Sequence, residues 1–351
     1  MELTVHTSAP YRILIERGCL GQIGQLAAGL FRPGSRAVVV CDSNVRSLYA
    51  EAVAASLRGA GFSAGIFEFP AGEASKRLSS IEAMYAAFAE NGLTRSDFAV
   101  ALGGGVTGDM AGFAAATWLR GIRFIQIPTT LLSEIDSSIG GKTGFDLPQG
   151  KNLVGAFHQP SLVLIDPDTL STLPARFFSD GMGEAIKHGC IKSRELFDLI
   201  QNTDVRSDLE TMIQKNLEIK RSAVEQDEFD NGERMLLNFG HTFGHALEKL
   251  HGYTGLSHGE AVGIGMVMMA KCGEKAGLTR PGTADEITSV LKKYNLPVWD
   301  DADPSEIAET AMLDKKARGG TISLVMLRSI GDSFLYKVDR AQLDSLMEAL
   351  R

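Results

Sequence analysis

Phe98-Ala99-Val100-Ala101-Leu102-Gly103-Gly104-Gly105-Val106-Thr107-Gly108-Asp109 is the stretch whose reading decides the fold. Its first five residues form a short apolar run, the signature of a buried strand. Three glycines follow, and from Val106 onward (VTGDMAGFAAATWL) the chain has helical length and composition. A strand that turns through glycine into a helix lets backbone N–H groups and a helix N-terminus approach a pyrophosphate. Gly103, Gly105 and Gly108 satisfy GxGxxG, yet a tight turn in any α/β domain accounts for them equally well. The next strand, Arg123 to Ile127, runs into Pro128-Thr129-Thr130 without the acidic residue that an ordinary Rossmann motif places on the ribose. A dinucleotide bound here must have its ribose held from elsewhere.

Outward from this stretch the pattern alternates. Upstream, Glu2 to His6 and Tyr11 to Ile15 read as an opening hairpin, followed by a helical stretch and the buried strand Arg36 to Cys41. Asp42-Ser43-Asn44 ends that strand, at the carboxyl edge where α/β sheets bind ligands. A helix over Val45 to Ala60, a strand over Ala64 to Phe69, the loop Pro70 to Glu73 and a helix over Ser79 to Asn91 lead back to the glycine strand. Alternating strand and helix implies a mainly parallel sheet. Downstream, Leu132 to Gly155 is glycine-rich and polar, and reads as a long functional loop. Ser161 to Ile165 is a last strand. From Pro174 on, apolar residues recur at helical spacing, interrupted by one hairpin over Thr321 to Leu327 and Ser333 to Val338. The reading is an α/β domain over residues 1–173 and a mostly α-helical domain over 174–351.

The chain has 351 residues, 44% hydrophobic and 22% charged, which suits two globular domains with a core each. Its net charge of -8 argues against general nucleic-acid or anionic-membrane binding, so an anionic ligand must be met by a local cluster of cations. Cys19, Cys41, Cys190 and Cys272 are widely spaced, without a CxxC pair, as in a cytoplasmic protein with reduced thiols. The N-terminal stretch lacks the basic and apolar regions of a secretory signal, and no apolar run spans a bilayer.

The helical half concentrates the histidines. His241 and His245 stand at i and i+4 in NFGHTFGH, His258 opens the next helix in SHGE, and GMGEAIKH supplies Glu184 among small residues. Three N/O ligands with an open fourth position is how a catalytic zinc is held. HTFGH lacks the internal Glu of a zinc protease motif. Capping and core hydrogen bonds are the ordinary role of a single histidine, but three beside glycines and a carboxylate point to a metal. Spacing alone does not say which two histidines ligate. Lys142 and Lys151 in the long loop, Lys187 beside Glu184, and Lys220, Arg234 and Lys315-Lys316 further on are candidate partners for phosphate or carboxylate, although any one lysine is more commonly a solvated helix face.

With these motifs in place, the chain resembles the 3-dehydroquinate synthase family of sugar phosphate cyclases. GGGVTGDMAGF, RGIRFIQIPTTLLSEIDSSIGGKTG, KNLVGAFHQP, GMGEAIKHG, NFGHTFGHALE and LSHGEAVGIGM appear in family order between Asp42 and about Lys316. The resemblance implies a Rossmann-like N-terminal NAD-binding domain and a helical domain that binds metal and substrate, with the active site between them. It implies conversion of 3-deoxy-D-arabino-heptulosonate 7-phosphate to 3-dehydroquinate and phosphate in the shikimate pathway of aromatic amino acid biosynthesis, with NAD used catalytically. By position in the family motifs, Glu184, His241 and His258 are the ligands of a zinc or cobalt ion, and His245 belongs to the substrate site. Asp42, Asn44, Gly72, Glu73 and Lys76 match nucleoside contacts, and Gly104, Gly105, Val106 and Asp109 the pyrophosphate region. Thr129, Thr130, Thr169, Leu170 and Thr172 match further cofactor contacts. Asp136, Lys142, Lys151, Asn152, Lys187, Lys220, Arg234, Asn238 and Lys316 fall on substrate-pocket positions, with Lys142 and Lys151 also near the cofactor and Lys315 an alternative to Lys316. Arg120, read as the C-terminal end of the glycine-strand helix, matches an arginine that reaches the neighbouring subunit's site, which implies a homodimer. Rival readings are another sugar phosphate cyclase, a metal-dependent glycerol or alcohol dehydrogenase consuming NAD stoichiometrically, and a non-catalytic NAD-binding module.

Overall fold

Every residue of β5 (Phe98–Gly103) is buried, as expected of a central strand covered on both faces. The computed structural model describes residues 1–230, 232–313 and 321–350, and divides the chain into two compact units, Met1–Pro174 and Ala175–Arg351. In the first unit β5 belongs to a seven-stranded sheet with β1 (Glu2–Val5), β2 (Tyr11–Ile15), β3 (Arg36–Asp42), β4 (Ser63–Phe69), β6 (Arg123–Pro128) and β9 (Leu162–Ile165). The strand order is β1-β2-β9-β6-β5-β3-β4. Only β1 and β2 pair antiparallel; the other neighbours are parallel. Alternate residues of one strand feed two cores. Val39, Cys41, Val100 and Leu102 pack with residues of the helices Ile23–Ala28 and Glu51–Gly59. Val38, Val40, Ala99 and Ala101 pack with residues of Leu78–Glu90 and Gly105–Thr117. Because β4 lies on one side of β3 and β5 on the other, the strand order reverses between β3 and β5. Their carboxyl ends, Asp42 and Gly103, flank the crevice where open α/β sheets take ligands.

Three local expectations give way. The stretch read as one long loop folds into a turn at Ser133–Ser137 and an antiparallel hairpin of β7 (Lys142–Leu147) and β8 (Gly150–Phe157). Glycine and polar residues hid the strand alternation. The two glycines Gly144 and Gly155 pair across the hairpin, and a Cβ on Gly155 would stand 2.3 Å from the Thr143 carbonyl oxygen. The helix read over Val45 to Ala60 is a short turn at Ser43–Val45, a π-helical stretch over Arg46–Ala50 and an α-helix over Glu51–Gly59. The glycine-strand helix stops at Thr117. Arg120 therefore does not end that helix: it lies in a tight turn with Leu119 and itself both left-handed, at φ 51° and 72°.

The second unit is largely helical, with one hairpin of β10 (Ile322–Ser329) and β11 (Asp332–Val338) around Gly331. Its central helix is His258–Lys275, in which every residue from Ala261 to Ala270 is buried. A helix apolar all round is a core helix. Lys315 and Lys316 lie outside the described residues. Among the described residues, no helix is long and apolar enough to cross a membrane.

Candidate functional site

In the second unit three helices approach at glycines, and this close approach brings the polar residues together. A Cβ on Gly183, in Ala175–Lys192, would stand 2.8 Å from the Gly259 carbonyl oxygen, and a Cβ on Gly259 only 2.0 Å from that of Asp180. Glu184 and His258 are their next neighbours in sequence. The Asp180 carboxylate accepts the Gly259 N–H at 2.5 Å, and a capping box between Ser257 and Glu260 starts the helix with His258 as its first residue. Gly240, left-handed at φ 78°, sets the start of His241–Leu250.

His241 and His258 each point Nε2 at the same atom, Glu184 Oε1, at 3.4 Å. The ligand atoms of Glu184, His241 and His258 lie within 4.8 Å of one another. The other ring nitrogen of each histidine faces an acceptor. His241 Nδ1 is 3.2 Å from the Phe239 carbonyl oxygen, and His258 Nδ1 is 3.7 Å from Glu248 Oε1. A carbonyl can only accept, so His241 carries its proton on Nδ1 and presents the Nε2 lone pair inward. Burial lowers the His241 pKa well below the usual imidazole range, which keeps it neutral. Burial also opposes charge on His258, but the carboxylates of Glu184 and Glu248 outweigh it and carry the group up to about 10. A divalent cation among these groups reverses that balance and displaces the proton. Glu184 is 1% exposed, and Lys187 pairs with its Oε2, leaving Oε1 toward the two imidazoles. One carboxylate and two Nε2 atoms, with histidines steadied from behind, is a donor set that fits a divalent metal with an open position. His245 is exposed, its ring 5.3 Å from that of His241 and 5.9 Å from that of His258. The ligand atoms of His245, Glu248 and His258 also lie within 4.8 Å of one another.

Asp180 and Glu248 escaped the sequence reading. Glu248 lies seven residues after His241 and three after His245, so one helix face was the available signal; Asp180 acts through a backbone N–H and left none.

The cations of this unit are enclosed. Lys187 is 1%, Arg234 2% and Lys220 7% exposed, burial that a charge tolerates only with fixed partners. Arg234 donates from Nη1 to the Glu228 carbonyl at 2.7 Å, and its backbone N–H donates to Asp227 at 3.3 Å. Asn238 is exposed at the end of the Glu233–Asn238 turn.

In the first unit, Asp42 accepts the Asn44 and Val45 N–H groups at 2.8 and 3.2 Å, so it caps the turn that follows β3. Gly72, at φ 107°, turns the chain into Glu73–Ser75. Lys76 is buried and donates to Asp109 Oδ2 at 2.7 Å and to Asn152 Oδ1 at 2.6 Å. Burial opposes its charge, but Asp109 and Glu73 hold its pKa above the ordinary value. Asn152 is left-handed at φ 53°, and its N–H donates to Asp146 at 2.7 Å, so Lys76 joins the glycine helix to the β7–β8 hairpin. Lys142 and Lys151 lie on that hairpin and Asp136 in the turn before it. Gly104 is the N-cap of Gly105–Thr117, with Val106 in its first turn. The third glycine of the pattern has a packing reason: a Cβ on Gly108 would stand 2.8 Å from Gln126 Oε1 of β6. The Thr129 N–H donates to the Gly103 carbonyl at 3.0 Å, which sets Thr130 beside the glycine turn. Thr169 and Leu170 are buried in Pro167–Ser171, and Thr172 is exposed with its hydroxyl 2.6 Å from that of Tyr49.

Comparison with known proteins agrees with this arrangement. A protein of 2-epi-5-epi-valiolone synthase activity from Streptomyces hygroscopicus subsp. jinggangensis 5008, solved with NAD+ and Zn2+ bound, superposes with a TM-score of 0.87 at 28% identity, covering 99% of this chain and 98% of that one. The 3-dehydroquinate synthases of Streptococcus pneumoniae and Clostridium acetobutylicum are each 47% identical to the chain, over 94% of both lengths. Residues 66–180 match the family model of the 3-dehydroquinate synthase N-terminal domain and residues 181–317 that of its C-terminal domain. With both halves matched in succession and relatives of this identity along nearly the whole length, the chain belongs to the 3-dehydroquinate synthase family.

Proposed function

We propose that this chain converts 3-deoxy-D-arabino-heptulosonate 7-phosphate to 3-dehydroquinate and phosphate, with NAD and a zinc or cobalt ion as cofactors. The observation that carries the reading is the convergence of half-buried His241 and His258 on the buried Glu184 carboxylate, with Lys187 on its outer oxygen. When bound, NAD supplies a hydride acceptor that is regenerated within the cycle, and the metal supplies Lewis acidity at the oxygen being oxidised. Glu184, His241 and His258 hold the metal. Asp42, Asn44, Gly72, Glu73 and Lys76 hold the nucleoside, the glycine turn with Asp109 takes the pyrophosphate, and Thr129, Thr130, Thr169, Leu170 and Thr172 complete the cofactor site. Lys142, Lys151, Lys187, Lys220, Arg234 and Lys316 bind phosphate and carboxylate, fixing one conformer and stabilising developing charge. Asp136, Asn152, Asn238 and His245 complete the substrate contacts.

In this reading residues 1–173 are the NAD-binding domain and 174–351 the metal- and substrate-binding domain. The enzyme is a cytoplasmic homodimer in which Arg120 serves the partner's site. The left-handed backbone at Leu119 and Arg120 supports that role, because such strain in non-glycine residues gathers at functional positions. Phosphate release from the heptulosonate phosphate with NAD present only in trace tests the activity. Many phosphates per NAD without NADH absorbance is the expected result; stoichiometric NADH overturns it in favour of a dehydrogenase.

A further inference from the structure

Glu134 lies in the Ser133–Ser137 turn with 0% exposure. Its Oε1 is 3.0 Å from Thr169 Oγ1, and its Oε2 is buried without a hydrogen-bond partner among the described residues. Thr169 Oγ1 is also 2.9 Å from the Asp166 carbonyl oxygen. A hydroxyl has one proton to donate. With Glu134 ionised, the carbonyl and the carboxylate compete for that proton, one O···O contact is left without any, and a negative oxygen is buried with no donor. With the proton on Glu134, every contact closes. Oε1–H donates to Thr169 Oγ1, Thr169 donates to the Asp166 carbonyl, and Oε2 remains as a neutral carbonyl oxygen. Burial pushes the Glu134 carboxyl well above its ordinary value, against an opposing pull from the Thr169 hydroxyl. The Asp166 carboxylate, which accepts the N–H groups of Gly18, Leu20 and Asp168, adds to the upward push.

We propose that Glu134 is a protonated positioning residue that ties the turn after β6 to the Pro167–Ser171 turn, so that both present their nucleotide contacts in one geometry. The inference rests on the proposed roles of Thr130, Thr169 and Thr172 in NAD binding. On one side the Glu134 N–H donates to the Thr130 carbonyl at 2.9 Å, and the Thr130 hydroxyl is 2.9 Å from that of Ser133. On the other, Tyr49 Oη donates to the Thr169 carbonyl at 3.3 Å and meets the Thr172 hydroxyl. Glu134 bridges the two turns through its carboxyl group.

The test uses the full-length wild type, Glu134→Gln and Glu134→Ala. The amide N–H of Gln donates to Thr169 as the acid does, so NAD affinity measured by calorimetry should stay within about twofold of wild type. Ala removes the donor, and NAD affinity should fall about tenfold, the worth of one buried hydrogen bond. In the Ala variant, kcat at saturating NAD and KM for the sugar phosphate should be unchanged, a split that general damage to the fold does not produce. Infrared difference spectra of wild type against Glu134→Gln at neutral pH should show the carbonyl band of one protonated carboxylic acid. The proposal is overturned if Ala binds NAD like wild type, if Gln weakens binding as much as Ala, or if that band is missing. If Glu134→Ala does not fold, the Gln variant and the infrared band still decide. Wild type that binds no NAD removes the nucleotide reading itself, and the infrared band still reports whether Glu134 holds its proton.

Discussion

Gly259→Ala adds one methyl group where two helices of the second unit touch. The new Cβ would stand 2.0 Å from the Asp180 carbonyl oxygen and 2.8 Å from the Asp180 carbonyl carbon, both backbone atoms that cannot swing aside. Ordinary contact begins at 3.4 Å, so the helices must separate by about 1.4 Å at this point. Overpacking of this kind costs about 1–3 kcal/mol of stability. The same displacement acts on the metal site. Ligand distances tolerate only about 0.2 Å, and His258 is the adjacent residue while Glu184 lies on the other helix. The same displacement breaks the bond from the Gly259 N–H to the Asp180 carboxylate, which helps set the start of the helix. Zinc affinity should fall at least about tenfold, the lower end of what losing an orienting contact does. Zinc titration against a competing chromophoric chelator measures it, with circular dichroism and a thermal melt to confirm the folded state. Gly59→Ala is the control, because nothing lies within 4 Å of a Cβ there. If folded Gly259→Ala binds zinc as tightly as the wild type, the helix crossing does not position the ligands.

His258→Ala should lose bound metal while the fold persists, since three ligands leave no spare; full zinc occupancy removes His258 from the ligand set. Glu248→Gln keeps all three ligands but weakens the acceptor behind His258 Nδ1, so zinc affinity should drop about 10–100-fold, and unchanged affinity shows that Glu248 does not orient the ring. Mixing Arg120→Ala with Lys187→Ala should give hybrid dimers with one complete site and activity above either parent. Mixed dimers without recovery show that Arg120 serves its own subunit or no site.

Much of the first unit was legible because its signals are local. Apolar runs such as Arg36–Cys41 and Phe98–Leu102 mark strands buried on both faces, and the glycines between Leu102 and Val106 mark the turn into a helix; each depends on neighbouring residues alone. The same holds for the hairpin around Gly331 and for the presence of clustered histidines. The β7–β8 hairpin was not legible, because Gly144, Gly155 and the polar residues around them carry no alternation until the strands pair. Arg120 was misplaced because the left-handed turn at Leu119 is imposed against local propensity. The relation among His241, His245 and His258 is decided at long range. The i, i+4 pair is the one that sequence places on a single helix face, yet the two imidazoles that turn Nε2 toward Glu184 Oε1 belong to different helices. That choice is made where backbone meets backbone at Gly183 and Gly259, and where Glu248 and the Phe239 carbonyl take up the outer nitrogens. Composition and periodicity describe one element at a time, whereas a ligand set depends on distances between elements, which only close packing determines.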